Sequence, residues 1–305
     1  MHPTVQANID ELKRMLSPED SYRQRLGKLS VLEAESYSDV AIHSNGVLKV
    51  AVQIAESMGM SEDRIKELAF GIRWHDIGKL AIPVEILRKP GGFEDEEWQI
   101  MKEHARAGID LVGEDAPQSL QNIILYHHEK YAGRGYFGLK GEAIPLEARI
   151  AQVADVYDAL CSKRDYKSDI SEEKVLLMMT EDGPRGRYEH DPFILRRFVQ
   201  LRLQDQNLRL DDNSRAYLSE YAASDPMIDF GKGKSENRND MSHLWANDGW
   251  QVEKSGHRML YRLDEVSGNK KLVEVRDPAG IVVRRIDPPA LNNEIEFEVP
   301  AYGRA

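Results

Sequence analysis

The chain has 305 residues, 41% of them hydrophobic, and a formal net charge of −11 at pH 7. That length and apolar content can fill one large and one small globular core, so general disorder is excluded. The acidic balance argues against affinity for duplex nucleic acid, which needs a basic face to displace counterions.

The N-terminal stretch MHPTVQANIDELKRML lacks the basic and apolar regions of a signal peptide. No later stretch approaches the roughly 18 apolar residues of a membrane span, so a cytoplasmic protein without a membrane partner is expected. Residues 1–34 are expected to form a helical extension, and helix is expected to continue through residue 222 because apolar positions recur at spacings of three and four. Val40, His43, Val47, Val50 and Ile54 share one face. Ser61 is placed to cap a helix carrying Ile65, Leu68, Ile72 and His75 and ending near Gly78. A third stripe holds Trp98, Met101, Ala105, Ile109 and Val112 with His104 beside it; a fourth holds Leu120, Ile124, His127 and His128. Trp74 and Trp98 both read as core residues. The glycine-rich run YAGRGYFGLKG interrupts the helices before they resume from Pro145 to Leu160, and Asp191-Pro192 reads as the cap and first turn of another. Residues 223–242 are polar and rich in turn formers, which predicts a linker. Short alternating runs between Trp250 and Ile286 then predict a small antiparallel β domain over 243–305.

Residues 236–305 hold 10 Lys+Arg against 12 Asp+Glu, leaving 31 against 40 for residues 1–235. An anionic substrate bound by the larger part would therefore need local compensation from metal ions or a few placed cations. The single cysteine, Cys161, excludes a disulfide framework and a Cys-rich zinc site. It reads as a small packed hydrophobe. Any metal chemistry then rests on imidazole and carboxylate. Five of the nine histidines, His43, His75, His104, His127 and His128, fall on the inward faces or ends of the four striped helices. A helical bundle can bring such nitrogen donors to one central point, with Asp76 and Asp155 as oxygen donors. His2, His190, His243 and His257 read as exposed or structural, and Glu129 as a group supporting the ligands.

The order of these residues, with HDIGKLAIP at 75–83, HHEKYAGRGYFGLKGEAIP at 127–145, RIAQVADVYDALCSKRDYK at 149–167 and DPFILRRF at 191–198, resembles the HD-GYP family of the HD metal-dependent phosphohydrolases. The likeness covers roughly residues 35–205, within an expected catalytic domain of 35–222. It implies a mainly α, HD-type helical bundle in which His43, His75, Asp76, His104, His127, His128 and Asp155 hold two or three divalent ions, iron or manganese. It implies catalytic roles for Asp76 and Lys79, and substrate contacts from Lys79, Tyr136, Arg164 and Lys167. The implied activity is hydrolysis of a cyclic dinucleotide, cyclic di-GMP first, to a linear dinucleotide and onward to GMP. Two-metal chemistry activates a water for in-line attack on phosphorus, so no protein nucleophile is required.

The sequence departs from the family pattern at four places. The GYP tripeptide stands as Gly135, Tyr136 and Phe137, which removes a rigid proline from the loop; Ala132 replaces an aspartate in the same loop. Asp39 stands where members with three ions carry glutamate, and is a candidate ligand for a third ion. Gly46 replaces a frequent arginine, which would loosen its helix or enlarge the pocket. Alternative uses of the same site are a guanine-adenine cyclic dinucleotide, another phosphate ester, di-iron oxygenase chemistry, or binding without turnover. The C-terminal segment would serve as a docking or dimerisation surface.

Overall fold

The computed structural model describes residues 1–36, 38–161, 170–181 and 189–224 and the backbone of four strands beyond residue 249, with residues 35, 36 and 38–42 described by their backbone alone. The chain separates into two compact units, Met1–Leu244 and Trp245–Ala305. In the first, the helices run α1 (Pro3–Arg14), α2 (Tyr22–Ser36), α3 (Ser38–Ser57), α4 (Glu62–Arg73), α5 (Val84–Leu87), α6 (Asp95–Lys102), α7 (His104–Val112), α8 (Gln118–Tyr126), α9 (Leu146–Cys161), α10 (Glu172–Thr180), α11 (Pro192–Leu203) and α12 (Asp212–Ala223). Their ends follow local chemistry. Pro3 occupies the first turn of α1, whose last turn carries Lys13 and Arg14 against the negative end of the helix dipole. Asp191 accepts from the amides of Phe193 and Ile194 ahead of Pro192, the cap the sequence predicts for α11. This unit is mainly helical, and no helix among the described residues is long and apolar enough to cross a membrane.

Two helix boundaries differ from the periodicity. α4 ends at Arg73, and a 3-10 turn, Ile77–Ala81, replaces the expected continuation to Gly78. The cause is close backbone approach: a Cβ on Gly78 would stand 1.9 Å from the carbonyl oxygen of His104 and 2.5 Å from the amide nitrogen of Gly108. The chain leaves the helix so that this turn can press against α7. The third stripe is two helices, α6 and α7, broken at Glu103. The break re-aims α6, and Trp98 is 42% exposed rather than a core residue.

Two apolar clusters fill the unit. One joins α3, α4 and α8 to α12 through Val47, Ile54, Ile72, Ile123, Val153 and Phe198. The other joins α1, α2, the 3-10 turn and α6 to α8 through Ile9, Leu29, Ile77, Met101 and Ile124. Because Ile72 and Ile123 belong to the first, and Ile77, Met101 and Ile124 to the second, His75, Asp76, His104 and His127 lie along the seam. Cys161 packs against the first cluster, as its composition suggested. In the second unit, β1 (Trp250–Val252), β2 (Arg258–Leu263), β3 (Lys270–Arg276) and β4 (Val282–Arg285) pair antiparallel in the order β1-β2-β3-β4.

Gly78→Ala should cost about 1–3 kcal/mol, because its methyl meets backbone rather than a yielding side chain. A urea titration beside the unchanged protein measures this, and equal midpoints would show that the turn can move away from α7.

Candidate metal centre

The site is built on three helix ends. Last-turn carbonyls keep acceptor capacity that the helix does not use. Here an imidazole just beyond each end takes it: His75 Nδ1 donates to Ile72 O at 2.7 Å, His104 Nδ1 to Met101 O at 2.7 Å, and His127 Nδ1 to Ile123 O at 2.9 Å. A carbonyl can only accept, so each Nδ1 carries a proton, and Nε2 on the opposite side of the ring is the nitrogen left to offer a lone pair once it carries none. Those three Nε2 atoms meet Asp76. His75 lies 3.3 Å from Oδ2, and His104 and His127 lie 3.5 and 3.7 Å from Oδ1.

Two further elements complete the cluster. His43 on α3 places Nε2 2.9 Å from Asp155 Oδ1 on α9, and Asp155 Oδ2 lies 3.8 Å from Nδ1 of His128. The donor atoms form two groups, Asp76 with His104, His127 and His128, and Asp76 with His43 and His75; within each group they lie within 4.8 Å of one another. Asp76 belongs to both. Its Oδ1 and the Nε2 of His75 are buried without a hydrogen-bond partner, an arrangement that ordinarily costs about 1–3 kcal/mol per group. Nitrogen and oxygen donors with no thiolate suit a divalent first-row metal, and a cation among them would satisfy both orphaned atoms. Lys79 Nζ lies 2.5 Å from Asp76 Oδ2.

The charges are sharply divided. Burial opposes ionisation of Asp76, yet Lys79, His75 and His127 hold its carboxyl well below the usual range. Asp155 is lowered likewise against its burial, chiefly by the hydrogen bond from His43. Burial disfavours a charged His43, but Asp155 and Asp158 raise it to about 9. His75 is raised against its burial by Asp76. Burial pushes His104 down to about 3 and, together with His127 and His104, lowers His128.

A loop forms one wall. Glu129, fully buried, accepts from the Phe137 amide through Oε1 and from the Leu139 amide through Oε2, each at 2.6 Å. It therefore supports the loop. Tyr136 directly precedes the first of these anchors, its ring 4.7 Å from that of His128 and 6.0 Å from those of His104 and Trp98. Burial and the charges of Asp76 and Asp155 push its phenol up. The Phe137 ring stands edge-on to Tyr126 at 5.7 Å, with the Arg106 guanidinium 5.3 Å from its centroid. Phe137 thus supplies an N–H where a proline would supply none.

All seven predicted ligands come together, with Lys79 and Tyr136 at their edge. The side chain of Asp39, and Arg164 and Lys167 altogether, lie outside the described residues. Sequence reasoning missed Asp158, whose Oδ2 lies 2.7 Å from Nδ1 of His43. Its signal was its place one helical turn beyond Asp155, on the same face of α9.

Two measurements test these interactions. Phe137→Pro removes a donor from buried Glu129 and should cost about 1–3 kcal/mol, whereas Phe137→Leu, which keeps the amide, should lose less; equal losses would assign the effect to the ring. In the metal-free chain, the contributions of His43 and His75 are complete below the unfolded value of 6.5 and are lost as pH rises, through about 9 for His43. The contributions of His104 and His128 are present above 6.5 and are lost as pH falls, through about 3 for His104. Unfolding free energy of chelator-treated protein should therefore peak near 6.5. A flat profile between about pH 5 and about pH 9 would refute the charge assignment.

The chain is similar to known proteins. The family described as HD domain matches residues 10–191, more than half of the chain. The cyclic di-GMP phosphodiesterase response regulator RpfG of Xanthomonas campestris is 41% identical over 162 residues, 51% of this chain and 42% of that protein. A cyclic di-GMP phosphodiesterase of Thermotoga maritima is 40% identical over 154 residues, 49% of this chain and 42% of that protein. The 3'3'-cGAMP-specific phosphodiesterase 2 of Vibrio cholerae is 35% identical over 150 residues, 48% of this chain and 28% of that protein. The matches thus span less than half the length of these relatives. With the histidines and Asp76 gathered along the seam between its two apolar clusters, the chain belongs to the HD domain family.

Proposed function

We propose that the protein is a metal-dependent phosphodiesterase that hydrolyses a cyclic dinucleotide, cyclic di-GMP first, to the linear dinucleotide and onward to GMP. The observation that carries this reading is the buried carboxylate of Asp76, shared by two groups of imidazole donors. The names of relatives that act on cyclic di-GMP or 3'3'-cGAMP supply the substrate class. His43, His75, Asp76, His104, His127, His128 and Asp155 would hold two iron or manganese ions, with Asp39 the candidate for a third. Divalent ions so held activate water at neutral pH and offset charge on phosphoryl oxygens.

The chain's own residues do the rest. Asp76 stays ionised and faces both donor groups. The Nδ1–H bonds of His75, His104 and His127 fix their tautomers before substrate arrives, so no reorganisation is needed later. Lys79, within reach of Asp76, presents its ammonium to a phosphate oxygen, and Arg164 and Lys167 help to hold the substrate's phosphates. Tyr136 offers a flat ring beside His128 for a sugar or base. Residues 223–242 act as a linker and 243–305 as a small antiparallel β domain for docking or dimerisation, in a cytoplasmic protein.

Protein purified without oxygen and loaded with Mn2+ or Fe2+ should convert cyclic di-GMP to its linear form, lose that activity on chelation, and lose it in Asp76→Ala. Running 3'3'-cGAMP in parallel ranks the two substrates. Stoichiometric metal with no product from either would sink the phosphodiesterase reading.

A further inference from the structure

His43 differs from the other inward histidines in how its ring is held. His75, His104 and His127 sit beyond helix ends, where a last-turn carbonyl takes Nδ1–H. His43 lies inside α3, five residues after its start at Ser38 and well before its end at Ser57. Mid-helix carbonyls are already engaged by i+4 amides and face along the axis, so orientation must come from another element. Asp158 on α9 supplies it, with Oδ2 2.7 Å from His43 Nδ1.

The carboxylate reaches that position through a gap in α3. A Cβ on Gly46, one turn beyond His43, would stand 1.9 Å from Asp158 Oδ1, 2.6 Å from its Cγ and 3.0 Å from Oδ2. No side chain at 46 is compatible with Asp158 where it lies. The expectation that Gly46 enlarges the pocket is therefore corrected: the space is filled, and a carboxylate fills it. Asp155, one turn earlier on α9, meets the other nitrogen of the same ring at 2.9 Å. The two aspartates grip His43 from both sides.

We propose that Asp158 is the positioning residue of His43, admitted by the missing side chain of Gly46, and that the pair sets the affinity of the ion bound on the His43 side of the centre. The proposal rests on the reading of the cluster as a metal centre. A carboxylate on the far nitrogen of a ligating histidine fixes its tautomer and raises its basicity. Held at Nδ1, the ring keeps Nε2 turned towards Asp155 and towards the group it forms with His75 and Asp76. Gly46 and Asp158 are 112 positions apart and act as one device.

The test is Mn2+ binding to the full-length chain, read by the loss of the free-ion resonance signal, in wild type, Asp158→Ala, Asp158→Asn, Gly46→Ala and the Gly46→Ala/Asp158→Ala double variant. Asp158→Ala should weaken one of the two ions by about 10–100-fold and leave the other within about two-fold. Asp158→Asn, whose amide oxygen still accepts from Nδ1–H, should lose less. Gly46→Ala should mimic Asp158→Ala, and it should add nothing in the double variant, because both act on one contact. Unchanged affinity in Asp158→Ala, or equal weakening of both ions, overturns the proposal while leaving the metal centre standing. Additive losses in the double variant would overturn the coupling to Gly46. A wild-type chain that takes up no ion overturns the metal-centre reading and the proposal with it.

Discussion

A carboxylate buried to 3% exposure, that of Asp76, is the constraint around which the first unit is arranged. An ion so placed without partners would cost several kcal/mol. The chain offsets that with the Lys79 ammonium on one oxygen and three imidazoles around both. Those imidazoles hang from the C-terminal ends of α4, α6 and α8, where the helix dipole is negative. The C-terminal ends of α4 and α8 and two ionised aspartates converge on one place, where His104 both closes α6 and opens α7. Such a field favours cations, and the break at Glu103 and the early end of α4 are the backbone consequences of building it.

Much of this was legible in the sequence because side chains that converge must face inward, and inward faces leave a period. His43 follows Val40 and precedes Val47 on one stripe of α3, and His127 follows Leu120 and Ile124. What periodicity could not show is a bond from a side chain to a helix end. His75 and His104 fit the helical stripe as text, yet each sits where its ring closes the preceding helix. The same blindness put Trp98 in the core: a one-residue break turns α6, and a stripe drawn across the break assigns the wrong face. Gly46 and Asp158 illustrate another limit. Each is unremarkable alone, and their relation appears only when α3 and α9 are packed together.

The loop that carries Tyr136 follows a similar logic with different chemistry. A proline stiffens a loop by fixing φ and removing a donor. Phe137 gives up that stiffness but contributes the donor, and the buried carboxylate of Glu129 needs it. With Leu139 on the other oxygen, two amides hold the loop to the residue that directly follows His127 and His128. The wall is thereby tied to the residue beside the paired histidines rather than to its own backbone rigidity.

The acidity of the chain gives the site its direction. A net charge of −11 provides no long-range attraction for an anion, so any charge that favours one has to be local. The ionised Asp76 and Asp155 are balanced by Lys79 and by His43 and His75, whose proton affinities are raised by those same aspartates. Protons on His43 and His75 have to leave before their Nε2 lone pairs can be shared with a cation. His104 and His128, held neutral by burial, carry no such proton. The two donor groups therefore differ in their coupling to pH: the group containing His104 and His128 is ready for a cation at neutral pH, and the group containing His43 exchanges a proton for one.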